Sequence, residues 1–142
     1  MYKNILVSVD LNDPTSWQKA LPTAVELCQS YSSDLHVLAV VPDVGMSMVG
    51  YFLPGDYNEK VIAEARKKLH ELMGDQVPGD VKAQAMVEQG TIYHEIIEAA
   101  NKVGADLIVM ASHRPGLSDY LLGPNAARVV RHYRGSVLVV RN

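Results

Sequence analysis

The stretch Val109-Met-Ala-Ser-His-Arg-Pro-Gly-Leu-Ser-Asp-Tyr-Leu-Leu-Gly-Pro-Asn-Ala-Ala-Arg-Val-Val-Arg-His132 decides the fold. It runs from an apolar strand through a polar loop into a Gly-marked helix start, the kind of junction at which an α/β protein holds a phosphate. Ser136-Val-Leu-Val-Val140 follows as a short apolar strand, and Asn4-Ile-Leu-Val-Ser-Val-Asp10 supplies another near the front. Further strand-like runs at 35–41, 81–87 and 106–110 bring the count to five, alternating with four amphipathic segments. Such alternation predicts a parallel sheet covered by helices.

The helices carry their own signals. Asp13-Pro14 reads as a cap and first-turn proline, after which Trp17, Ala20, Leu21, Ala24, Cys28 and Tyr31 recur at helical spacing. A second helix is expected over about 57–73. Thr91 caps the third, Tyr93, Ile96, Ile97, Ala100 and Val103 form its stripe, and Gly104 ends it. In the third strand Val81, Ala83, Ala85 and Val87 alternate with Lys82, Gln84 and Met86, which predicts one exposed side and an edge position. The first and fourth strands are apolar almost throughout and belong in the middle. A doubly wound order of 3-2-1-4-5 satisfies both readings and puts the topological switch, with its ligand crevice, between the first and fourth strands.

Composition narrows the class. A chain of 142 residues with 48% hydrophobic and 20% charged residues reads as one domain over 1–142, large enough to bury a core without staples. Its net charge of −3 gives no general attraction to nucleic acid or an acidic membrane. The lone cysteine, Cys28, lies on the apolar face of a helix and is expected to be buried and inert. No signal peptide and no membrane-length apolar run is visible, so a cytoplasmic protein is expected. The segment 42–56, with Met46, Met48 and Phe52 among prolines and glycines, reads as an apolar loop. His36, His70, His94 and His132 lack the paired spacing of zinc sites, and no metal is expected on protein side chains alone. Arg128, Arg131, His132 and Arg134 resemble a nucleic-acid patch, but the last turn of a helix favours positive charge on its own account.

Val9-Asp10, Ala111-Ser-His-Arg-Pro115, Leu121-Leu-Gly123, Asn125-Ala-Ala127 and Val129-Val-Arg-His132 together resemble the universal stress protein family, and specifically its F-lettered branch. The resemblance runs over essentially the whole chain. It implies a Rossmann-like fold of the adenine nucleotide alpha hydrolase type, a nucleotide site, and dimers through the last strand. ATP-binding members carry a signature G-x2-G-x9-G-[ST]; here Ala111, Arg114, Gly123 and Pro124 stand in its fixed positions, so three of the four depart from it. The spacer between Arg114 and Gly123 is also one residue short, at eight. The F-lettered branch itself reads Ala-Ser-His-Arg-Pro, which leaves Pro124 as the departure peculiar to this chain.

Asp10 ends the first strand, after Ser8 and Val9, at the rim where a carboxylate can accept from a ribose or help hold a metal-bound phosphate; the other reading is a solvated loop Asp beside Asn12 and Asp13. By resemblance Val40 and Met110 hold the adenine, although both residue types also serve as plain core. Gly123 opens a helix whose free amides, those of Gly123, Asn125 and Ala126, suit phosphates; Pro124 has neither amide hydrogen nor hydroxyl but fits a first helical turn. Arg114 replaces a glycine and could bind phosphate through its guanidinium, flanked by Ser112 and His113, or the three could form a solvated turn.

The reading is therefore a regulatory module that binds ATP, ADP or AMP, with Mg as a candidate companion ion, little turnover, and a protein partner not named by the sequence. A slow ATPase or self-phosphorylating enzyme is one alternative, and a nucleotide-free interaction module with a lapsed site is another. The chain has no G-x-x-x-x-G-K-[ST] loop and no G-x-S-x-G elbow. A response-regulator receiver is disfavoured because the third strand ends Val87-Glu88-Gln89 and no lysine stands near Val140. The final strand, with Val137, Leu138, Val139 and Val140, is an apolar edge without lysine or proline and predicts a homodimer.

Overall fold

The computed structural model describes residues 1–42, 55–112 and 122–142. His113, Arg114 and most of the apolar loop at 42–56, including Met46, Met48 and Phe52, lie outside the described residues. Five parallel strands form one sheet in the order β3-β2-β1-β4-β5, with β1 Asn4–Val9, β2 Asp34–Val41, β3 Ala83–Gln89, β4 Leu107–Ala111 and β5 Ser136–Val140. The four α-helices are α1 Ala20–Tyr31, α2 Tyr57–Gln76, α3 Ile92–Val103 and α4 Pro124–His132. The expected doubly wound α/β fold and its strand order are both present.

Strand composition explains the order. Ile5, Leu6 and Val7 in β1 and Ile108 and Val109 in β4 are fully buried, as strands sandwiched between two helical layers must be. Ile5, Val7, Val9, Leu35, Val37 and Ala39 face a core completed by α1 and by Leu69 of α2. On the opposite face Leu6, Leu38, Ile108 and Met110 pack against Ile96, Ala99 and Ala100 of α3 and Ala126 and Val129 of α4. Period-two side-chain alternation thus assigns neighbouring residues of one strand to different helical layers.

The third strand departs from simple alternation. Lys82 and Gln84 are exposed as expected, but Met86 is buried among Leu6, Leu38 and Ile96. Only the first half of that edge is open, because α3 begins at Ile92 and covers the second half. Its bounds also shift by two residues toward the C-terminus relative to 81–87.

Asp13-Pro14 does not open α1. Asp13 caps a separate 3-10 turn, Pro14–Ser16, by accepting from the Thr15 N–H at 3.1 Å and the Thr15 hydroxyl at 2.6 Å, and α1 begins at Ala20. Trp17, at φ −129°, ends the turn and packs on the core from outside the helix. α1 closes on Ser32 in a left-handed conformation at φ 55°, α2 runs to Gln76, and Gly104 at φ 67° terminates α3 as expected. Thr91 stands at the α3 N-cap, without a side-chain hydrogen bond.

Cys28 is buried, and burial with the nearby Asp34 charge pushes its thiol up to about 11. Arg128 lies over the Tyr93 ring at 5.2 Å, and His132 is tilted against the same ring at 6.1 Å. These contacts tie part of the basic cluster into the α3–α4 packing. The Tyr133 hydroxyl donates to the Ala105 carbonyl at 2.5 Å, linking the end of α4 to the turn before β4. No helix among the described residues is long and apolar enough to cross a membrane.

Candidate functional site

β1 leads through α1 to β2 on one side of the sheet, while β4 lies on its other side, so the crevice between the β1 and β4 carboxyl ends is left uncrossed by a connection. A cleft of about 650 Å³ opens there, within the size range of small-molecule sites. Ser8, Val9 and Asp10 line it from β1, and Val40 lines it from β2. Met110, Ala111 and Ser112 contribute from β4, and Gly123, Pro124, Asn125 and Ala126 from the start of α4. Every residue expected to bind nucleotide, among the described ones, borders this cleft; His113 and Arg114 are outside the described residues, and Val137, Leu138, Val139 and Val140 lie apart from it on β5.

The β1 exit loop is held by local hydrogen bonds. The Asp10 N–H donates to Ser16 Oγ at 2.8 Å, and the Asn12 N–H donates to Asp10 Oδ1 at 2.9 Å, an Asx turn. The Ser16 hydroxyl points back at the Asp10 and Asp13 carbonyls, at 3.0 and 2.7 Å. Asp10 is therefore exposed yet fixed, with its second carboxylate oxygen facing no donor among the described residues. The solvated-loop reading and the ligand reading describe the same residue from two sides.

The start of α4 needs a correction. The Gly123 N–H donates to the Ser112 carbonyl at 2.9 Å, and the Ser112 N–H donates to the Val140 carbonyl at 3.0 Å. Gly123 is thus not one of the free donors; its amide joins β4's exit to the helix it precedes. Pro124 occupies the first helical position, as its fixed φ permits, and α4 has no side-chain cap. Ala127 makes the first helical bond, to the Gly123 carbonyl at 3.0 Å, so the amides of Asn125 and Ala126 lie ahead of the helical ladder and close to its positive end.

Sequence reasoning missed a whole wall. Tyr57, Val61 and Ala65 of α2 recur four residues apart along the cleft, and Lys60, Glu64 and Lys68 form a charged column beside them. Lys60 pairs with Asp56 at 3.2 Å. The Gln89 side-chain amide donates to Asn58 Oδ1 at 3.1 Å, holding α2's first turn to the end of β3, and the Gly90 N–H donates to the Val41 carbonyl at 3.0 Å, joining the ends of β3 and β2. Ile92 and Ile96 of α3 add apolar surface. The available signal was the i, i+4 spacing in α2, which reads equally well as an ordinary solvated helix.

This arrangement has recognisable relatives. The model of the universal stress protein family matches residues 1–141. Universal stress protein G of Escherichia coli O157:H7 is 32% identical over 143 aligned positions, covering 99% of this chain and 100% of the relative. Among solved structures, the universal stress protein UspA from Lactobacillus plantarum superposes with a TM-score of 0.73 at 24% identity, covering 99% of this chain and 98% of its own. A universal stress protein in complex with cAMP gives 0.63 at 22% identity, covering 99% and 97%. With a matching sheet order and a family match along nearly its whole length, the chain belongs to the universal stress protein family.

Proposed function

We propose that residues 1–142 form a single nucleotide-binding domain whose cleft takes an adenine nucleotide, ATP, ADP or AMP, and which acts as a regulatory module with little or no turnover. The observation that carries this reading is the convergence of β1, β4 and the uncapped start of α4 on one cleft. The adenine packs between Val40 and Met110, whose side chains share the face of the sheet that α3 and α4 cover. Asp10 accepts from the ribose, and the amides of Asn125 and Ala126 meet phosphate oxygens. Ser8, Val9, Ala111, Ser112, Gly123 and Pro124 shape the floor and rim, with His113 and Arg114 proposed to approach the phosphates, and Mg would offset their charge when bound. A nucleotide in a related protein supports the choice of ligand: one universal stress protein of this fold is in complex with cAMP.

The module is further proposed to work as a cytoplasmic homodimer. β5 is an edge strand with Leu138 exposed and Val137, Val139 and Val140 half-buried, and two copies aligning antiparallel would pair backbone groups and bury these side chains. Two-fold symmetry makes such a contact self-complementary.

Denaturing the purified protein and resolving the supernatant by nucleotide chromatography tests the ligand. An adenine nucleotide in near-stoichiometric amount is expected. Release of none, together with no heat on titrating ATP or AMP, supports a lapsed site, and steady conversion of added ATP to ADP supports the enzymatic alternative.

A further inference from the structure

We infer that Ser16 is a positioning residue of the cleft: its hydroxyl fixes the main chain of Asp10, and with it the direction from which the Asp10 carboxylate meets a ribose. This rests on the nucleotide reading above, in which Asp10 accepts from a ribose hydroxyl. Asp10 lies one residue past the end of β1, where the strand ladder no longer holds the backbone. Unless something replaces the ladder, the ligand itself has to freeze such a residue, and that ordering is subtracted from its affinity. Ser16 is the replacement. Its Oγ accepts the Asp10 N–H at 2.8 Å and lies 3.0 Å from the Asp10 carbonyl oxygen, so both main-chain polar groups of Asp10 close on one side-chain atom. The Asp13 N–H donates to the same carbonyl at 3.1 Å. The carboxylate is held separately, by the Asn12 N–H on Oδ1 at 2.9 Å. Backbone and side chain are each fixed, which leaves the second oxygen with a set direction.

Ser16 lines the cleft, but its hydroxyl works inside the loop. It accepts the Asp10 N–H, and the nearer acceptor for its single proton is the Asp13 carbonyl, at 2.7 Å. Its action on a ligand therefore passes through Asp10. The turn that carries Ser16 has bonds of its own that do not involve the hydroxyl. Asp13 Oδ1 accepts from the Thr15 N–H and hydroxyl at 3.1 and 2.6 Å, and the Ser16 N–H donates to the Asp13 carbonyl at 3.0 Å. From beyond β5, the Asn142 side-chain amide donates to the Thr15 carbonyl at 2.8 Å. Deleting the Ser16 hydroxyl thus releases Asp10 and leaves the turn in place.

The test is a calorimetric double-mutant cycle on the full chain, stripped of co-purified nucleotide and titrated with AMP. Ser16→Ala should weaken AMP by about 5- to 30-fold, the equivalent of ordering one residue's backbone on binding. In an Asp10→Ala background the same substitution should change affinity by less than about twofold, since the carboxylate it positions is gone. Ser16→Thr keeps the hydroxyl and should return affinity to near that of the parent. A Ser16→Ala protein that binds AMP within about twofold of a binding parent overturns the role of Ser16 and leaves the nucleotide reading intact. An equal loss with and without the Asp10 carboxylate overturns the route through Asp10, and a threonine variant as weak as the alanine one overturns the assignment to the hydroxyl. A parent that binds none of AMP, ADP and ATP overturns the nucleotide reading and this inference together.

Discussion

Removing the Asp10 carboxylate should separate its two roles. One oxygen accepts the Asn12 N–H at 2.9 Å and holds the Asx turn, while the other faces no donor among the described residues and lies on the cleft. A hydrogen bond from a ribose hydroxyl to a carboxylate contributes about 1.5–3 kcal/mol. At about 1.4 kcal/mol per decade, Asp10→Ala should weaken AMP by about 10- to 150-fold. Loss of the turn bond should cost stability by about 1 kcal/mol in urea unfolding, since the amide it satisfied is exposed and can turn to water. The decisive assay pairs protein and ligand changes: 2′-deoxy-AMP and 3′-deoxy-AMP are titrated against parent and Asp10→Ala protein. Deleting the hydroxyl that Asp10 contacts should be costly in the parent and nearly free in the variant, because the partner is already gone. If both deoxy ligands lose equal affinity in parent and variant, Asp10 does not hold the ribose.

Three further outcomes follow from packing, burial and the sheet edge. Ile108, fully buried in β4 between Leu6 and Val137 in register, should on Ile108→Ala cost about 2–5 kcal/mol in urea unfolding, and a cost under 1 kcal/mol would mean the sheet centre is loosely packed. The folded Cys28 thiol is raised from 9.0 to about 11, so the protonated form is favoured by folding; its contribution is fully present below pH 9 and is lost as pH rises toward 11. Cys28→Ala should flatten that part of the alkaline stability profile, and an identical profile in parent and variant would assign the loss to other groups. Val139→Lys places like charges near each other across a two-fold axis at β5 and should shift a micromolar dimer toward monomer in static light scattering; a parent chain already monomeric at that concentration removes β5 as the interface.

The parts of this molecule legible in its sequence are those fixed by burial on both sides. Ile5–Leu6–Val7 and Ile108–Val109 leave no choice but a central place, and once two strands are central the remaining order and the location of the crevice follow from connection rules. Residues set by strand ends were legible for the same reason, and so Asp10, Val40 and Met110 fall on the cleft. Pattern does not specify which donor satisfies which acceptor. The amide of Gly123 looks free in the sequence and is taken by the Ser112 carbonyl, and Asp13-Pro14 reads as the start of α1 but opens a separate 3-10 turn, with Thr15 and Ser16 bonding back onto Asp13. The α2 wall was hidden differently: Lys60, Glu64 and Lys68 have the spacing of a solvent face, and only the anchoring of α2's first turn to Gln89 makes that face a wall of the cleft. A cleft read from sequence therefore arrives with its place fixed by the strand ends and its hydrogen-bond partners unassigned, as the Gly123 amide taken by the Ser112 carbonyl illustrates.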